Sequence, residues 1–197
     1  MSGVTTVVLA GVGGQGTILA GDVLAKVAMA EGFDVRLSEV HGMAQRGGSV
    51  VTFVRFGECV ESPVADPGTA DHLIAFEVIE AARQLPLLRP DGRLVVNQRV
   101  VPPLPVLTGA AAVPGDLEAA LAAQGAIFID ADALACEAGS SKSANIVLVG
   151  AASAGLPFSE ATWAEAIAAR VPPATVEANL RAFQLGKEAC LRGACRS

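Results

Sequence analysis

Six residues constrain this chain more than any others: Gly11-Val12-Gly13-Gly14-Gln15-Gly16, set between a strand-like run and a helix-like one. Val4 to Ala10 is short, apolar and rich in β-branched residues, the pattern of a strand buried on both faces. After the glycines, Leu19, Val23 and Val27 recur at helical spacing with Ala20 and Leu24 beside them, and Gly32 ends the helix predicted over 17–31. Phe33 to Leu37 reads as a second strand. A strand, a glycine turn, a helix and a strand form a crossover unit, and such units build parallel sheets.

The loop fits G-x-G-x-x-G, whose glycines let the backbone turn tightly and approach a ligand closely. The helix start adds free N–H groups and a partial positive charge. Gly11, Gly13, Gly14, Gln15 and Gly16 are therefore candidates for holding an anion or a partner's backbone. The plainer alternative is a tight turn with a structural role alone. A dinucleotide fingerprint also needs an acidic residue ending the second strand. Glu39 is close to that place, but it follows Ser38 inside a predicted loop, which speaks against a stand-alone nicotinamide or flavin enzyme.

That predicted loop, residues 39–48, carries the second concentration of chemistry: Glu39, His41, Met43, Gln45, Arg46, Gly47 and Gly48. Arg46 can hold a carboxylate or phosphate in a bidentate fork. Gly47 and Gly48 permit a turn that exposes N–H groups, and His41 can exchange a proton near neutral pH. In a doubly wound sheet this loop and the glycine loop share the carboxyl edge of the strands, where ligands bind.

Further along, Ser49–Phe56 alternates as a strand, and Gly57-Glu58 reads as a turn into a short return strand at Cys59–Glu61. His72–Phe76 is a strand, Glu77–Leu85 a helix, Pro90-Asp91-Gly92 a turn and Arg93–Asn97 a strand. Residues 98–115, with Pro102, Pro103, Pro105 and Pro114, form an irregular connection. Helices are predicted over 116–123, 131–138, 142–154 and 159–169, with a last one carrying Val176, Leu180 and Phe183 on one face, and a strand over 126–129. Asp130 and Asp132 read as caps of the following helix, the serines of Ser140-Ser141-Lys142-Ser143 as caps of theirs, and His72 as structural. The expected fold is α/β: a three-layer, mainly parallel sheet with helices on both faces and an antiparallel hairpin near residue 57. Residues 1–197 are expected to form a single domain.

The net charge of −6 argues against nucleic acid, which demands a basic footprint. Residues 1–21 lack charge, but their glycines and the missing basic start argue against a signal peptide, and no other run is long enough to span a membrane. A cytoplasmic protein is expected. Cys59, Cys136, Cys190 and Cys195 make no C-x-x-C pair, so neither an iron–sulfur cluster nor structural zinc is expected. Cys190 reads as part of a polar tail. Hydrophobic residues reach 52% and charged ones only 17%, which fits either an alanine-rich core or a large face buried on a partner.

Gly11–Gly16 followed by Ser38-Glu-Val-His-Gly-Met-Ala-Gln-Arg-Gly-Gly-Ser-Val50 resembles the gamma-type domain of 2-oxoacid:ferredoxin oxidoreductases. So do Asp71–Glu77, Asn145–Ala151 and Glu177–Phe183, in order along nearly the whole chain. The stretch Glu39–Met43 is similar to the indolepyruvate branch. The resemblance implies a small subunit that is inactive alone and holds no cofactor. Thiamine diphosphate, Mg and iron–sulfur clusters would sit in a large partner subunit, coenzyme A would be the co-substrate, and ferredoxin would take the electrons. Gamma subunits acting with pyruvate, 2-oxoisovalerate or 2-oxoglutarate, and a non-catalytic interaction module, are the alternatives.

Overall fold

The computed structural model describes residues 3–42 and 48–194. The elements are β1 (Thr5–Val12), α1 (Thr17–Ala30), β2 (Asp34–His41), β3 (Ser49–Gly57), β4 (Ala70–Ala75), α2 (Val78–Gln84), β5 (Leu88–Asn97), α3 (Leu104–Leu107), α4 (Leu117–Ala123), β6 (Ile127–Ile129), α5 (Ala131–Glu137), α6 (Ala144–Ser153), α7 (Glu160–Arg170) and α8 (Val176–Ala194).

The strands form one sheet in the order β2-β3-β1-β4-β5-β6. β1, β4, β5 and β6 are parallel neighbours, whereas β3 runs antiparallel to both β1 and β2. Side chains of β1 alternate between two cores. Val7 and Leu9 join α1, α6, α7 and α8 on one face, while Val8 and Ala10 join α2 and α4 on the other. Burial on both faces explains why Val4–Ala10 is a continuous apolar run rather than an alternating one. The three-layer α/β architecture expected from the sequence is therefore the one observed.

Four details differ from expectation. β2 continues through Glu39, Val40 and His41, because each pairs with β3, as in His41↔Val50. The antiparallel hairpin is thus β2–β3, and no return strand forms at Cys59–Glu61. That segment is held instead by the Val60 N–H, which donates to Asp34 Oδ2 at 2.8 Å and keeps the Asp34 carboxyl below its usual range. The Pro90-Asp91-Gly92 turn is absorbed into β5 as an irregularity, where the register jumps from Ala70↔Leu88 to His72↔Arg93. Cys190 lies fully buried in α8, because that helix packs along α6 and β6 instead of ending in a polar tail. Within 98–115, Leu104–Leu107 makes the single turn of α3.

Candidate functional site

β1 ends and α1 begins through a turn in which Gly14 and Gly16 adopt φ of +93° and +85°, the left-handed region where an L side chain is strained. Gln15 folds back over this turn and its Oε1 accepts from the Val12 N–H at 2.8 Å. A β-carbon on Gly11 would stand 2.6 Å from that oxygen, so Gly11 leaves room for the brace. Gln15 Nε2 is buried with no hydrogen-bond partner among the described residues. The loop is pinned from the other side by Gly13 N–H donating to Gly48 O at 3.1 Å.

A cavity of about 640 Å³ opens beside this turn, at the carboxyl ends of β1, β4 and β5. The order of crossovers reverses there: β1 leads through α1 to one side of the sheet, while β4 and β5 continue on the other, the position where α/β sheets bind ligands. Its walls are Val12–Gln15, Phe76, Asn97, Arg99, Val101, Asp132, and Ser141–Asn145 without Ser143, with Leu148 behind. Asn97 joins three walls. Its Nδ2 donates to Phe76 O at 3.3 Å and Asp132 Oδ2 at 3.1 Å, and its Oδ1 accepts from Ala131 N–H at 2.9 Å. Arg99 pairs with Asp132 Oδ1 at 3.1 Å. Lys142 brings a second cation to the rim. The glycine turn at the start of α1, Lys142 and Arg99 together suit an anionic group with polar substituents.

Glu77, 1% exposed, follows the cavity-lining Phe76 and caps α2. Its carboxylate accepts from the N–H groups of Glu80, Ile79 and Val101. Burial is the largest influence on it and holds its pKa above the usual 4.5.

Of the residues singled out in the sequence, Gly13, Gly14 and Gln15 line the cavity, Gly11 and Gly16 shape it, and Gly48 anchors it. Met43, Gln45, Arg46 and Gly47 lie outside the described residues. Glu39 and His41 stand on β2 and contact each other, away from the cavity walls. Asp130 caps α5 as expected, accepting from Ala133 N–H at 2.9 Å, but Asp132 turns to Asn97 and Arg99 instead. Neither Ser140 nor Ser143 caps its helix with its side chain, and Ser141 and Lys142 face the cavity. Asn97 and Arg99 were not picked out from the sequence. The signal for them was the end of the strand predicted over 93–97, on the same sheet edge. Among the described residues no group of three or more His, Cys, Asp or Glu is placed to hold a metal ion, and no helix is long and apolar enough to cross a membrane.

The profile of the pyruvate ferredoxin/flavodoxin oxidoreductase family matches residues 6–189. The chain belongs to this family. Indolepyruvate oxidoreductase subunit IorB of Thermococcus kodakarensis is 42% identical over 93% of this chain and 94% of its own. The protein of the same name from Pyrococcus horikoshii is 39% identical over the same shares. The crystal structure of the keto/oxoacid ferredoxin oxidoreductase gamma subunit from Geobacter sulfurreducens superposes with a TM-score of 0.71 at 28% identity, covering 95% of this chain and 99% of that one. These relatives are oxidoreductase subunits, and the Geobacter gamma subunit shares the fold described above.

Proposed function

We propose that this chain is the small subunit of an indolepyruvate:ferredoxin oxidoreductase, acting throughout its length as one gamma-type domain. The observation that carries the branch is identity over nearly the whole chain: 42% to the Thermococcus indolepyruvate subunit against 30% to the 2-oxoglutarate synthase subunit KorC of Methanothermobacter thermautotrophicus. In this reading a large subunit supplies thiamine diphosphate, Mg and iron–sulfur clusters, and the complex decarboxylates an aryl 2-oxoacid, transfers the acyl group to coenzyme A and reduces ferredoxin in the cytoplasm. The small subunit contributes the wall formed by its glycine turn, Arg99 and Lys142. An anionic part of coenzyme A, or a carboxylate of the large subunit, would meet that wall, and docking would exclude water from the reaction. Arg46, Gly47 and Gly48 would take part as well, with Glu39, His41, Met43 and Gln45 at the subunit contact.

The test is coenzyme A-dependent reduction of ferredoxin or a viologen dye by this chain alone, by its candidate large subunit alone, and by the two co-expressed. Indolepyruvate, pyruvate, 2-oxoisovalerate and 2-oxoglutarate would be compared as substrates. Activity only in the co-expressed complex, highest on indolepyruvate, is expected. A stable complex without activity on any 2-oxoacid would leave an interaction module. Replacing Arg46 by Ala should lower coenzyme A-dependent turnover by about tenfold, the loss of roughly one charge-assisted contact.

A further inference from the structure

Glu80 is a carboxylate where none is needed for solubility: it is 1% exposed, in the first turn of α2. One oxygen, Oε2, accepts from Ser49 Oγ at 2.5 Å, and the other, Oε1, receives Arg83 at 2.7 Å. Ser49 is the first residue of β3. Its carbonyl accepts from Gly42 N–H at 2.8 Å, and its predecessor Gly48 accepts from Gly13 N–H at 3.1 Å. A continuous chain of bonds therefore runs from Arg83 through Glu80 and Ser49 to the glycine turn. At the N-cap of α2, Glu77 accepts from the Val101 N–H at 3.3 Å, and Val101 lines the same cavity.

We propose that Glu80 is a positioning residue, which through Ser49 fixes the glycine turn relative to the wall held by Glu77. The N-terminal end of α2 thereby links two segments of the cavity lining that are far apart in sequence. A buried carboxylate oxygen is expensive to leave without a donor, so the bond to Ser49 is held and its geometry passes to Gly48 and Gly13.

The first test needs only the full-length chain. In Ser49→Ala, hydrogen exchange of a peptide spanning residues 11–16 should quicken about fivefold or more, with α6 and α8 unchanged. Glu80→Gln, which keeps an acceptor for Ser49, should exchange like wild type, and Glu80→Ala like Ser49→Ala. Unchanged exchange at 11–16 in Ser49→Ala, or a rise spread over the whole chain in every variant, overturns the proposal. The second test rests on the function proposed above: in the active complex, Ser49→Ala should raise the KM for coenzyme A severalfold and leave kcat within about twofold. An inactive wild-type complex refutes that function while leaving the exchange result to decide Glu80. An active complex with wild-type KM in Ser49→Ala refutes the positioning role.

Discussion

Asn145 packs its side-chain amide on the backbone of Gly16: a β-carbon built on Gly16 would stand 2.6 Å from Asn145 Nδ2. Gly14 has the same left-handed φ, yet a β-carbon there would meet nothing within 4 Å. The two glycines thus separate backbone strain from crowding. Gly14→Ala should cost about 1–2 kcal/mol, the left-handed penalty alone. Gly16→Ala should cost more and should also displace Asn145 from the cavity wall. Urea unfolding of both variants checks this; equal losses would mean that Asn145 moves aside freely.

Helices α6 and α8 cross with backbones in contact. A β-carbon on Gly150 would overlap the Phe183 carbonyl, and one on Gly186 would overlap that of Val147. Backbone cannot swing away as a long side chain can. Gly150→Ala and Gly186→Ala should therefore each cost about 3 kcal/mol or more, the upper range of overpacking. Because both act on one crossing, the double variant should lose less than the two single losses together. Thermal or urea unfolding of the three variants measures it.

What was legible in the sequence depended on how local the cause was. β1, its glycine turn and α1 follow from residues 4–31 alone, since β-branching, glycine and helical spacing act within a few positions. Asp130 and Ser159 cap their helices through bonds to residues three positions on, equally local. The extension of β2 through His41 was not legible, because polar Ser38, Glu39 and His41 are drawn into the strand by pairing with β3. Asn97, Arg99, Asp132 and Lys142 reach one cavity only because the sheet order brings the ends of β5, α5 and the turn before α6 to the edge where β1 ends. Nothing in their own neighbourhoods announces that. The same holds for Cys190, which is buried by α8 docking on α6 and takes a bond from Arg93 at 3.1 Å.

His72 should make the fold acid-sensitive. Burial lowers its pKa from 6.5 to about 4, with the Arg93 and Arg89 charges adding to the effect and Asp71 opposing it. The unfolded chain then binds a proton between these values that the folded chain refuses. Stability from this site is complete above pH 6.5 and is lost as pH falls towards 4, on the order of 3 kcal/mol in all. Glu77 acts with the opposite sign: its raised pKa means that stability falls as pH rises from about 4.5 through its folded value. Unfolding free energies between pH 4 and 7 separate the two. The difference between wild type and His72→Gln should grow with pH, and that between wild type and Glu77→Gln should shrink. A flat difference for His72→Gln would mean that its ring is hydrated in solution.

Lys142 offers the most direct test of what the cavity holds. It is exposed at the rim beside Asn145, and the turn containing it presents Ser141 to the same space. If the cavity takes an anionic part of coenzyme A, Lys142→Ala should raise the KM for coenzyme A in the complex about tenfold, with kcat within about twofold. One charge-assisted contact of roughly 1.4 kcal/mol has that effect when it is made equally in the ground and transition states. Because the lysine is exposed, the gap between variant and wild type should narrow as salt rises towards 1 M. If Lys142 instead pairs with a carboxylate of the large subunit, the KM for coenzyme A should stay put while the complex dissociates more readily, which a concentration series in sedimentation would reveal. The two outcomes divide the roles of the cavity cleanly, since one is read at saturating subunit concentration and the other is visible only below it.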